Sequence, residues 1–96
     1  MYCKIHYIRG ITILACCDEE LLGEKIESSE FSVEIKDSFY NERAVTSEEM
    51  KEMMRDAGSI NLFGEKCVEV AIEEGFINRS SIIMIGKVPH AQIYRM

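Results

Sequence analysis

The stretch from Asn61 to Gly75, Asn-Leu-Phe-Gly-Glu-Lys-Cys-Val-Glu-Val-Ala-Ile-Glu-Glu-Gly, constrains the fold more than any other part of the chain. Phe63, Cys67, Val70 and Ala71 recur at helical spacing and make one apolar stripe, which Val68 and Ile72 widen. Glu65, Glu69 and Glu73 line the opposite side. Asn61 is placed to cap the start, and Gly75 to take the left-handed stop. A helix over 61–75 with one apolar side has to be covered there, so this is a core helix.

Ninety-six residues are enough to bury one core without metals or staples, so residues 1–96 are expected to form a single small domain. With one Pro and no low-complexity tract, nothing in the chain favours disorder. Of the four cysteines, Cys16 and Cys17 are adjacent and no Cys-x-x-Cys occurs, so neither a disulfide framework nor a zinc knuckle is legible. The opening Met-Tyr-Cys-Lys-Ile-His-Tyr lacks the continuous apolar segment of a signal peptide, and no apolar run approaches a membrane span. The expectation is a cytoplasmic protein with reduced thiols and no membrane contact.

Tyr2–Arg9 and Ile11–Cys17 read as strands of one hairpin, turning at Arg9-Gly10. Gly10 suits a positive φ, whereas Arg9 is a poor first residue for a type I′ turn. That turn sets Cys3 opposite Cys16, Ile5 opposite Leu14 and Tyr7 opposite Thr12 on one face. Lys4 opposite Ala15 and His6 opposite Ile13 make the other. Asp18 caps a short helical turn carrying Leu21 and Leu22. Phe31–Lys36 alternates as a half-exposed strand, and Asp37–Arg43 is irregular. Thr46 and Glu49 have capping-box spacing ahead of Met50, Met53, Met54 and Ala57, a second helix stopped by Gly58. Ile82–Ile85, apolar on both faces, is expected to be an inner strand, and Ala91–Arg95 a last one. Pro89 belongs at the turn or the start of that strand. The sum is an α+β two-layer sandwich of about five strands and two main helices, its two terminal hairpins expected side by side.

Three stretches then carry a resemblance: Cys17-Asp-Glu-Glu-Leu-Leu-Gly23, Asn61-Leu-Phe-Gly-Glu65 and Gly86-Lys-Val-Pro-His-Ala-Gln92. In this order, and in a chain this short, they resemble a largely archaeal group known as domain-of-unknown-function family 424, over nearly the whole length from Cys3 to Arg95. The resemblance implies a cytoplasmic archaeal protein without an established activity, and a loose association with translation or RNA metabolism. It assigns no catalytic or binding residue.

The net charge of −6 argues against loose nucleic-acid binding, but it is unevenly spread. All 17 acidic residues lie between Asp18 and Glu74. The ends carry only cations: Lys4 and Arg9 at one, Arg79, Lys87 and Arg95 at the other. If the ends met, these would make one basic surface, with Tyr2, His6, Tyr7 and Tyr94 as stacking groups. The loop Gly86–Gln92 adds His90 and Gln92, which both donate and accept hydrogen bonds; either a ligand contact or a turn cap would explain them. A binding surface of Lys4, Arg9, Lys87, His90, Gln92 and Arg95 is therefore the first reading, with RNA or a ribonucleoprotein as the partner.

A second reading is a small enzyme or ligand-binding domain. It places Cys17 and Asp18 at a helix start that lowers the thiol pKa, near His90, with Asn61 and Glu65 beside them. Against it, a buried Cys more often acts as a small hydrophobe. Cys3, His6, Cys16 and Cys17 do not converge as metal ligands, since His6 points to the other face of the hairpin. No metal or cofactor is expected. The third reading is a protein-interaction subunit, its Glu65, Glu69 and Glu73 side facing a basic protein. The same three acids also suit a plain solvated face, as the Met50, Met53, Met54 stripe suits plain core.

Overall fold

The protein is described from a computed structural model covering residues 1–95. Strands β1 (Tyr2–Ile8) and β2 (Ile11–Cys17) open it, followed by a 3-10 turn at Glu19–Leu21. A small hairpin of β3 (Lys25–Glu27) and β4 (Ser32–Glu34) leads into the one-turn helix α1 (Asp37–Tyr40) and β5 (Arg43–Ala44). Helix α2 (Ser47–Asp56), β6 (Ser59–Phe63) and α3 (Glu65–Glu73) follow, then β7 (Ile83–Ile85) and β8 (Val88–Tyr94). The main sheet has six strands in the order β5-β1-β2-β6-β8-β7, and β3–β4 form a separate pair. Among the described residues only β2 and β6 run parallel. Among the described residues no helix is long and apolar enough to cross a membrane.

The first hairpin forms in the expected register, with Cys3 facing Cys16, Ile5 facing Leu14 and Tyr7 facing Thr12. Arg9 and Gly10 both take positive φ, 51° and 81°, as a two-residue turn of this kind demands. The capping box at Thr46 and Glu49 also forms, with reciprocal hydrogen bonds of 3.0 and 3.1 Å. Met50 and Met54 are fully buried below it.

Several expectations are corrected. The mixed α/β content stands, but the described residues form eight strands in two sheets and three helices, rather than about five and two. The helix expected from Asn61 begins only at Glu65. Ser59–Phe63 is a strand, because Ile60 and Leu62 alternate with Asn61 and Phe63 at period two. Five residues of that pattern are hard to tell from the first turn and a half of a helix. The two terminal hairpins are not neighbours, since β6 lies between β2 and β8. Ile83–Ile85 is an edge strand, not an inner one, with Ile83 and Met84 more than half exposed. Cys3 and Cys16 are joined as a disulfide, their Cα atoms 4.3 Å apart in the predicted pairing, so not all four thiols are reduced. Cys17 and Cys67 are the free ones.

One face of the main sheet packs Cys3, Leu14, Cys16, Ile60, Leu62, Ala91 and Ile93 against α2 and α3. The opposite face is covered in part only. There Ala15, Cys17 and Phe63 meet Ile35, Tyr40 and the inward side chains of the β3–β4 hairpin. His6 stacks on Phe39 of α1 at 4.3 Å, and the Lys4 ammonium donates to the Ser38 carbonyl. This partial third layer shields the β1–β2 half of the face and leaves much of the β6–β8 half open.

Asp18 joins the two halves. Its backbone amide donates to the Phe63 carbonyl, extending the β2–β6 pairing. Its side chain caps no part of the turn that follows it. It reaches instead to the start of α3, accepting from the backbone amides of Lys66 at 3.0 Å and Cys67 at 2.9 Å. This is an N-cap supplied from another element. Gly64, at φ 112°, turns the chain from β6 into α3, and a Cβ there would overlap the Asp18 carboxyl group. Asp18→Ala is expected to cost about 3 kcal/mol, because it strands a buried amide at Cys67, a part-buried one at Lys66 and the start of a helix. Asp18→Asn should recover part of the loss. Urea unfolding of the three proteins checks this, and equal midpoints would refute it.

Candidate functional site

The open half of the second face holds a cleft of about 390 Å³. Its floor comes from two paired strands. Asn61 lies opposite Gln92, and Phe63 opposite His90. All four side chains point to this face because β6 and β8 each place alternate residues there. Val33 and Phe31 of the small hairpin form one wall, and Ile83 and Ile85 of β7 the other. Phe31 and Ile83 are 50% and 54% exposed, so the rim is apolar and wet.

Each polar group on the floor keeps hydrogen-bonding capacity in reserve. The Tyr40 hydroxyl donates to Asn61 Oδ1 at 2.7 Å, and burial pushes its pKa up, so it remains a neutral donor. That contact fixes the Asn61 amide, whose NH2 has no partner among the described residues. Gln92 Oε1 accepts from the Tyr94 hydroxyl at 3.2 Å, and its NH2 is likewise unspent. His90 stacks on Phe63, ring centroids 4.1 Å apart, with Nδ1 at 2.8 Å from the Leu62 carbonyl. A carbonyl only accepts, so Nδ1 carries the proton and Nε2 is a bare acceptor. Burial lowers the His90 pKa, only partly offset by that hydrogen bond, which favours the neutral ring. Apolar walls around two amide donors and one imidazole acceptor are the make-up of a small-ligand site.

The structure brings together His90, Gln92 and Asn61 from the residues singled out in the sequence. It separates the cations. Arg9 and Arg95 lie at one end of the sheet, where both line a larger cavity of about 770 Å³. Lys87 lies at the other end, beside Asp18, Glu20 and Glu65. Lys4 is held on α1. Arg79 is paired with Glu69 at 2.7 Å, which also engages the middle of the Glu65, Glu69, Glu73 face. Arg95 serves the fold: its guanidinium donates to the carbonyls of Met54, Arg55 and Ala57 at the end of α2 and lies 5.0 Å from the Phe76 ring centre.

The structure does not bring the alternative grouping around Cys17 together with His90. Cys17 is fully buried, and burial with the neighbouring Asp18 charge pushes its thiol up to about 12. Phe63 lies between it and His90, which sit two strands apart, about 10 Å. Asp18 spends both oxygens on α3. Tyr40, Phe63 and Phe31 were not legible as site residues in the sequence. The period-two alternation of residues 59–63 was the signal that would have placed Phe63 beside Asn61's face.

These features define a small mixed α/β protein with a ligand-sized cleft on the open part of its sheet. The chain belongs to the family described as "Protein of unknown function (DUF424)", whose sequence model matches residues 6–96. Its fold is similar to the crystal structure of an uncharacterized conserved protein from the archaeon Methanopyrus kandleri. That likeness has a TM-score of 0.83 and 26% identity, and covers 99% of this chain and 90% of the other. Comparison with curated proteins finds no match. The three stretches that carry the family resemblance meet in space: Asp18, Gly64, Glu65 and Lys87 line one small hollow between β2, α3 and the β7–β8 turn.

Two outcomes follow from the side-chain roles. Arg95→Ala should lower stability by about 2 kcal/mol, since it uncaps α2; a thermal melt unchanged from wild type would contradict that role. For His90, the folded pKa lies below the ordinary 6.5, so the unfolded chain takes up the proton first. Stability from this group is whole above pH 6.5 and declines as the pH falls below it. Urea midpoints at pH 7.5 and 5.5 should therefore differ more for wild type than for His90→Phe, which keeps the stack and cannot titrate. Equal differences would show that His90 is not the group responsible.

Proposed function

We propose that this protein is a binding module for an unpaired nucleobase, held in the cleft between β6 and β8. One observation carries the reading: Asn61 and Gln92, whose NH2 groups are unspent among the described residues, and His90, with its bare Nε2, line one cleft between apolar walls. A planar heterocycle with donors and acceptors on its edge matches that arrangement, as an apolar ligand or a plain carboxylate does not. Sheet faces that carry aromatic and amide groups suit unstacked bases of single-stranded RNA. The separation of the cations supports recognition of the base over attachment to a run of phosphates. No nucleophile or acid–base pair is invoked, so the role is recognition without chemistry.

The test is a titration of ¹⁵N-labelled protein with adenosine, cytidine, guanosine and uridine. Shifts are expected at Asn61, Phe63, His90 and Gln92 for at least one of them. Asn61→Asp retains the acceptor for Tyr40 and removes the amide donor. It and Gln92→Ala are each expected to weaken binding about tenfold or more. Absence of any response on β6 and β8 at millimolar nucleoside would remove the reading.

A further inference from the structure

The cleft is not isolated. Along β8 the side chains of His90, Gln92 and Tyr94 share one face, and Tyr94 lies opposite Ser59 as Gln92 lies opposite Asn61. The Tyr94 hydroxyl donates to Gln92, so the two positions touch. Beyond Tyr94 the same face runs into the 770 Å³ cavity, where Ile8, Ile11 and Arg9 of the first hairpin stand. Among the described residues, five of the seven exposed large apolar side chains, Phe31, Ile83, Tyr94, Ile8 and Ile11, lie in these two hollows. An exposed apolar stripe of this extent on a small acidic protein calls for an occupant.

We infer that the occupant is a single-stranded nucleic acid of about three nucleotides, lying along β8 from the cleft at His90 to the turn at Arg9. The inference rests on the nucleobase reading and extends it from one base to a path. From His90 to Tyr94 the strand rises about 13 Å, and sheet platforms of this kind take about two to three bases. Tyr94, 75% exposed, offers an open ring for stacking. Among the described residues no acid lines the cleft, and Asp56 is the single acid in the cavity beyond it. Of the three arginines there, Arg95 is held on α2 and Arg55 pairs with Glu74 at 3.3 Å. Arg9 makes no ion pair among the described residues, so one cation stands ready for one phosphate. This sets the direction of charge along the stripe, neutral at the cleft and positive at the hairpin turn.

The experiment is a length series by calorimetry, from nucleoside to tetranucleotide, in the base that binds best as a nucleoside. Affinity should rise about a hundredfold up to three nucleotides and then level off. Tyr94→Ala and Tyr94→Phe both lose the hydroxyl on Gln92, so each is compared by its own trinucleotide-to-nucleoside affinity ratio, which should fall about tenfold for Tyr94→Ala and be kept by Tyr94→Phe. Arg9→Asn suits the positive φ of that turn, so the fold is kept; it should flatten the salt slope of the trinucleotide by about 0.7. A nucleoside that binds through Asn61 with no gain on lengthening overturns the path and leaves the cleft reading intact. No binding of nucleoside or oligomer overturns both. A dimer seen by light scattering and abolished by Tyr94→Ala would give the stripe to a second copy of the chain and also overturn the path.

Discussion

A single carboxylate joins the first half of this molecule to the second. Asp18 ends β2, continues the pairing with β6 through its backbone, and closes the start of α3 through its side chain. The partners are 48 and 49 positions away in the chain. Everything between them, the small hairpin, α1, β5 and α2, is an excursion that must return to bring β6 alongside β2. Gly64 is the counterpart of that carboxylate: without a side chain it lets the acid reach the amides, and with its φ of 112° it turns strand into helix in one residue.

The same junction decides where a site can be. Because β6 runs straight into α3, its inward residues are committed to the helical side and its alternate residues, Asn61 and Phe63, to the other. The partial third layer is too small to cover the whole face. It buries Cys17 and Tyr40 and reaches β8 only at Val88, so Tyr40 can orient Asn61 while the amide remains open. An incompletely covered sheet usually invites aggregation. Here amides and an imidazole dilute the apolar face, which is compatible with reversible binding.

Much of the fold was legible from local chemistry. The first hairpin, its register and its turn followed from period-two alternation and Gly10, and α2 from its capping box and methionine spacing. What was missed depended on partners far away. Asn61 is a fair N-cap by composition, and no local signal shows that Asp18 takes the role in its place. Ile82–Ile85 has the composition of an inner strand, and its edge position comes from topology alone. Charge was misleading for the same reason: Arg79 and Arg95 look like free cations in sequence, yet one pairs with Glu69 and the other caps α2. Of the site, His90 and Gln92 stood out as polar groups on a turn, while Phe63 was hidden by its misassignment to the helix.

Both long helices borrow an end. α3 takes its first-turn acceptor from Asp18, and α2 closes on the guanidinium of Arg95. A helix of nine or ten residues is marginal in water even with its own caps. Neither segment is therefore a self-sufficient unit. Helical order in this protein is thus tied to the sheet, which holds Asp18 at the start of α3 and Arg95 at the end of α2.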